Sequence, residues 1–209
     1  MNSPELDYGE FQNEALVLAS KSPIRAALLR NAGLKIITCA ANIDERAVEA
    51  ALGRDVDPED VALVLAEAKA LDVANAYPDT LIIGADQTLS CDAEIFHKAG
   101  DENELRKNLL ALSGRTHALN AAIVLVKNGE TLWRYNAQAH LTMRTLSPQF
   151  IGRYIAQTLP DSLQSVGGYQ LEGLGAQLFE KIEGDYFTIL GLPLLPLLAR
   201  LRQDDIIIS

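Results

Sequence analysis

Residues 16–33 read LVLASKSPIRAALLRNAG, and the fold class turns on how this stretch is read. Leu16 to Ala19 form an apolar run short enough for a buried strand. Pro23 stands at a natural first helical position, with Ser22 before it as the cap. Ile24, Ala27, Leu28 and Ala32 then recur at helical spacing, and Gly33 ends the helix. The segment is strand, small-residue turn, helix. Its charges are out of place. Lys21 and Arg25 flank the first turn with no acid nearby, and each cation there opposes the helix dipole by roughly 0.3–1 kcal/mol. A bound anion would reverse that penalty, using the free N–H groups of the turn with Ser20, Ser22, Lys21 and Arg25 as further donors.

The rest of the chain extends the pattern. Asp57 and Pro58 open a helix whose apolar face is expected at Val61, Val64, Leu65, Ala68 and Leu71. TLIIG is a short apolar strand, buried on both faces, that ends in ADQ. Asp101, Glu102 and Glu104 open another helix, closed near Gly114. HALNAAIVLV and TLWRYNAQAHLTMRT are strand-like and joined by Asn128-Gly129, a strong hairpin signal. Ser147-Pro148 opens a further helix. GGYQLEGLGAQLF and IEGDYFTILGLP are Gly-containing loops before a Leu-rich C-terminal helix. Strands alternate with helices first and a hairpin enters later, which predicts an α/β fold with a partly antiparallel sheet. Residues 1–14 are polar and acidic and read as a mobile extension, leaving residues 15–209 as one domain.

Composition removes several classes of function. The chain has 209 residues, is 48% hydrophobic and carries a net charge of −10. That surface repels phosphate backbones, so general nucleic-acid binding is not expected, and a bound anion needs a few placed cations. Cys39 and Cys91 fall in no paired spacing, and His97, His117 and His140 show no zinc-ligand pattern. The greasiest stretch, ILGLPLLPLLARL, is broken by Pro193 and Pro196 and reads as core, not as a membrane span. A cytoplasmic location follows as the default.

Two carboxylate positions stand beside the anion turn in this reading. Asp86 follows the apolar strand, where ligands of open α/β sheets bind. Asp44 and Glu45 follow another short apolar run, and carboxylates in a phosphate site call for a divalent cation such as Mg²⁺. Lys69 and Lys98 are the remaining candidates for phosphate contacts.

LASKSPIRAALL, NIDE, AEAKA, IIGADQ, the lysine of IFHKAGDENE, LSGRTH and GLPL occur in that order between about Leu16 and Leu201. This ordered set resembles the Maf family of nucleoside triphosphate pyrophosphatases. The resemblance implies a Maf/ITPase-like elongated fold, a twisted mixed β-sheet flanked by helices, with two lobes around a nucleotide cleft. It implies conversion of a nucleoside triphosphate to monophosphate and pyrophosphate, a divalent metal cofactor (Mg²⁺ or Mn²⁺), and a cytoplasmic homodimer. By the same resemblance Ser20, Arg25, Lys69 and Lys98 bind phosphate, Glu45 and Asp86 bind the metal, and Asp86 is the proton acceptor. Ile24, Gln87 and Glu172 occupy the positions that separate branches, and Gln87 with Glu172 resembles the branch acting on 7-methyl-GTP. The chain departs from the family pattern at Ala26, where a second basic residue is usual, at His97 and Ala99 around Lys98, and at Asn120-Ala121. These departures keep open a second reading, a nucleotide-binding regulator of cell division with little or no catalysis.

Overall fold

Leu16–Ala19 form a fully buried strand, β1, and Pro23–Asn31 form a helix, α1, as the opening stretch predicts. The Ser22 hydroxyl accepts the Arg25 N–H at 3.3 Å, and no acid occupies the first turn. The buried residues of α1 are Ala26 and Leu29, so its inner face is turned from the one expected. Ile24 is left only half-buried. The computed structural model describes residues 12, 14–53, 56–92 and 94–209.

Seven strands make one mixed sheet. β2 (Ile36–Thr38), β1 and β3 (Leu81–Cys91) run parallel. β5 (Thr116–Lys127), β6 (Glu130–Met143) and β7 (Phe179–Glu183) continue it antiparallel, and β4 (Glu94–Phe96) pairs with the far end of β3. The β5–β6 turn has Asn128 at φ 53° and Gly129 at φ 76°, the left-handed pair that a tight hairpin demands. Helices α2 (Glu45–Leu52), α3 (Pro58–Ala74), α4 (Glu102–Leu112), α5 (Pro148–Thr158), α6 (Tyr186–Ile189) and α7 (Leu194–Gln203) flank the sheet.

Helix α3 buries Val61 and Leu65 as expected, but also Ala62, Ala66, Lys69, Ala70 and Val73, while Leu71 is exposed. The reason is close approach. A Cβ at Gly84 of β3 would collide with the Ala66 carbonyl, so small residues face the sheet and large ones turn aside. Strand β3 also runs further than its apolar run. It stays paired with β5 from Ile82 to Ser90, so Asp86 lies in mid-strand and not at a strand end.

The core falls into two regions along the long strands. At one end Leu16, Leu18, Ile83 and Ile123 pack beneath α7, and Val17, Ile82, Ala122 and Val124 pack beneath α3. At the other, Leu89, Leu105, Leu119, Leu141, Ile151 and Tyr169 pack between the sheet and α4 and α5. Gly168, at φ 75°, lets the GGYQLEG loop press onto Leu105, where any side chain would clash. Most of the expected N-terminal extension lies outside the described residues. Gln12 bridges to Ile207, and Glu14 pairs with Lys127 at 2.9 Å.

His117 is buried in the second core region, its Nε2 sharing a 2.7 Å hydrogen bond with the Tyr169 hydroxyl while Nδ1 has no partner. Burial, with a smaller push from His140, lowers its pKa from 6.5 to about 4. Between those values the unfolded chain binds a proton that the folded chain refuses, so stability is full above pH 6.5 and falls as pH drops toward 4. Urea midpoints measured across this window are expected to decline with pH, and the decline is expected to shrink in His117→Gln.

Candidate active site

The site begins as a gap in the sheet. Along one edge of β3, β1 pairs with Leu81 to Gly84 and β4 with Leu89 to Cys91. Among the described residues, 85–88 have no strand partner on that side, although β5 holds their other edge. The carboxyl end of β1 therefore opens onto the middle of β3, the kind of crevice in which α/β sheets bind ligands. A cleft of about 660 Å³ fills the gap.

Two faces of β3 supply different groups to it. Asp86 shares a face with Gly84, toward α3, and is buried. Lys69, likewise buried on α3, hydrogen-bonds Asp86 Oδ1 and pairs with Glu45 Oε1 at 2.8 Å. One ammonium thus holds both predicted metal-binding carboxylates. Burial works against the Glu45 carboxylate. The hydrogen bond and charge of Lys69 outweigh it, helped by Lys98 and Arg25, and hold its pKa below the usual range. Burial also pushes the Lys98 pKa down, and the charges of Arg25 and Lys69 add to that. The three cations crowd one site that an anion would relieve.

Ser20 and Arg25 build the other wall. The Ser20 hydroxyl accepts the Ser22 N–H at 3.1 Å and Arg25 Nη1 at 3.3 Å, which occupies its lone pairs and leaves its proton to donate. Arg25 is more than a waiting cation. Its Nε donates to the Gly191 carbonyl at 2.7 Å and its Nη1 to the Ala85 carbonyl at 2.9 Å. It joins α1, the free edge of β3 and the turn before α7. Burial lowers its pKa, opposed by the charges of Asp86 and Glu45. These bonds give Arg25 a structural role beside the anion contact expected of it.

Gln87 and Ile24 line the cleft as well. Gln87 lies on the face opposite Asp86, and its amide nitrogen donates to the carbonyls of Thr188 and Ile189 at 3.0 and 3.1 Å. Glu172 is exposed and is not among the residues lining the cleft, although Gln170 on the same loop is. The cleft thus gathers Ser20, Ile24, Arg25, Glu45, Lys69, Asp86, Gln87 and Lys98. It also contains residues that sequence reasoning passed over. Thr88 follows Asp86 at strand spacing, a signal that was available. Asp161, Gln164 and Ser165 come from short 3₁₀ turns, which leave no periodic mark.

Among the described residues no group of three or more His, Cys, Asp or Glu side chains could hold a metal alone. The oxygen pair of Glu45 and Asp86 does suit a hard divalent ion completed by phosphate oxygens.

The chain belongs to the Maf-like proteins, whose family model matches residues 15–204. Among its relatives is the 7-methyl-GTP pyrophosphatase of Brucella abortus biovar 1 (strain 9-941), 59% identical over 193 residues, 92% of this chain and 97% of that one. The 7-methyl-GTP pyrophosphatase of Mesorhizobium japonicum (strain LMG 29417 / CECT 9101 / MAFF 303099) is 60% identical over 190 residues, 90% of this chain and 96% of that one. A solved HAM1 protein from Coxiella burnetii overlaps 69% of this chain and 96% of its own at a TM-score of 0.42 and 16% identity, too slight a likeness to argue from.

Arg25→Ala is expected to lower the free energy of unfolding by about 1–3 kcal/mol, because the Ala85 and Gly191 carbonyls lose their donor. A urea midpoint equal to or above the parent's would show that the helix-dipole penalty prevails instead.

Proposed function

We propose that the chain hydrolyses a nucleoside triphosphate, 7-methyl-GTP in preference to dTTP or UTP, to the monophosphate and pyrophosphate. The observation that carries this is the arrangement of Lys69, Asp86 and Glu45 beside Arg25 and Lys98 in one cleft, a site for a phosphate chain and a water. The substrate follows from the activity named for the relatives above.

In this mechanism Ser20, Arg25, Lys69 and Lys98 hold the triphosphate, and positioning with charge neutralisation does most of the work. Asp86 is the base. Lys69 fixes its Oδ1, and Oδ2 makes no hydrogen bond among the described residues, so it is free to take a proton from water. That water attacks the α-phosphorus, the bond to the bridging oxygen breaks, and pyrophosphate leaves. Glu45 and Asp86 would hold Mg²⁺ or Mn²⁺, which supplies neutralisation of phosphate charge. Gln87, its amide hydrogens committed to α6, offers the base only an acceptor oxygen, which suits the N1–H and N2–H donors of guanine. Glu172 enters this reading on the family resemblance alone, since its side chain is exposed and does not line the cleft. We place the enzyme in the cytoplasm as a homodimer on the family resemblance, with residues 15–209 as its one domain. Among the described residues no helix is long and apolar enough to cross a membrane. The reading as a regulator without catalysis is not favoured, since the departures at Ala26, His97, Ala99 and Asn120 leave the lysine–carboxylate centre whole.

Asp86→Asn is expected to stay folded by circular dichroism and to lose about 10²-fold or more in turnover, the scale of general-base help. Turnover at the parent rate would remove Asp86 as the base. In a panel with Mg²⁺ scored for pyrophosphate, 7-methyl-GTP is expected to be hydrolysed faster than dTTP and UTP. Equal or faster hydrolysis of either pyrimidine nucleotide would overturn the substrate and leave the reaction standing.

A further inference from the structure

A ring of hydrogen bonds, buried at Thr88 and Asn120, lies directly beside Asp86 and takes no part in the mechanism above. Thr88, two residues along β3 on the same face, donates its hydroxyl proton to the Pro58 carbonyl at 2.8 Å. Asn120 on β5 donates through Nδ2 to the Thr88 hydroxyl at 3.1 Å and to the Ser90 hydroxyl at 3.2 Å. Gln138 on β6 donates through Nε2 to Asn120 Oδ1 at 3.0 Å and to the Glu59 carboxylate at 3.1 Å. Pro58 and Glu59 are adjacent at the start of α3, so the ring closes on itself: helix, β3, β5, β6, helix.

The direction of every bond in this ring is forced. A carbonyl and a carboxylate can only accept, and they stand at its two ends. The Thr88 proton must go to Pro58, so Thr88 must accept from Asn120, which orients the Asn120 amide. Its oxygen then faces Gln138, whose amide must donate both to it and to Glu59. Position 120 must both donate and accept, which an amide does, and position 138 must donate to both neighbours. A carboxylate at 120 would face the committed Thr88 oxygen, and one at 138 would face Glu59. Thr88 and Asn120 are both buried, where unmet polar groups are expensive.

We propose that Asn120 and Gln138 are positioning residues for the catalytic pair, holding the start of α3 against β3 so that Lys69 meets Asp86. The geometry supports this at both ends of the lever. Helix α3 touches β3 at Gly84 through Ala66, one turn from Lys69, and at Thr88 through Pro58. Those two contacts bracket Asp86 on the strand. The small-residue contact sets the distance between helix and sheet, and the ring sets the slide of one along the other. A shift along that axis would separate the Lys69 ammonium from the Asp86 carboxylate without touching the groups that hold the rest of the nucleotide. The proposal rests on Asp86 acting as the base.

The test compares Asn120→Leu and Gln138→Ala with the parent on 7-methyl-GTP with Mg²⁺, reading kcat and KM separately. Gln138 is exposed on one side, so its truncation keeps the test open if Asn120→Leu does not fold. The expected result is a fall in kcat of about 10-fold for either variant with KM changed less than about 2-fold, the signature of misplaced reacting groups. In an Asp86→Asn background the same substitutions are expected to cause a clearly smaller fall in kcat, because the part of their effect that runs through that carboxylate is already lost. Unchanged kcat, a change confined to KM, or a loss that repeats in full in the Asp86→Asn background would overturn the positioning role. If Asp86→Asn alone turns over at the parent rate, the base assignment itself has failed, and that outcome is separate from the first.

Discussion

An ammonium group out of water, held between two carboxylates, governs the working part of this molecule. Lys69 reaches from α3 to Asp86 on β3 and to Glu45 at the start of α2. Lys69 and Asp86 are buried, so each depends on the other's charge, while the half-exposed Glu45 keeps Lys69 paired from the cleft side. The surrounding structure can be understood as what keeps the three together. Alanines on α3 and a glycine on β3 bring helix and strand close enough for a lysine side chain to span them. The Asp44 carboxylate caps α2 through the Ala47 N–H at 3.1 Å, which fixes where Glu45 begins the helix.

The second constraint is the interrupted edge of β3. A strand with β1 on part of its side and β4 on another part leaves four residues facing a cleft without exposing a long edge. Arg25 covers the first of them by taking the Ala85 carbonyl, which puts a cation at the site through ordinary backbone pairing. Its place at a helix N-terminus, a net cost when the helix is considered alone, becomes a tie between three segments once the chain is folded.

Much of this was legible beforehand, and the exceptions share a cause. The strand–turn–helix at Leu16, the Asn128-Gly129 hairpin and the Ser147 cap depend on neighbours in sequence, and each forms as predicted. The inner face of α3 does not follow from the size of its apolar residues, because the closest contact there selects for small ones. The length of β3 was hidden because polar Asp86, Gln87, Thr88 and Ser90 interrupt its apolar run, and only the partner β5 shows that they are still strand. The ordered motifs single out Ser20, Arg25, Glu45, Lys69, Asp86 and Lys98, and all six line one cleft. Glu172 is different: its loop is shaped by Gly167 and Gly168 packing on Leu89 and Leu105, a long-range effect that local sequence does not encode.

Strands β3, β5 and β6 pass unbroken from one core region into the other. A ladder of that length has no hinge, and opening it like a jaw would tear backbone pairs across the middle of the sheet. The walls built on the sheet are therefore set when the chain folds. Helix α2 has no buried residue of its own, so Glu45 is held at the cleft by its pair with Lys69 and by the Asp44 cap more than by packing. One wall of the cleft is a continuous ladder, and the acid that faces it depends on polar ties alone.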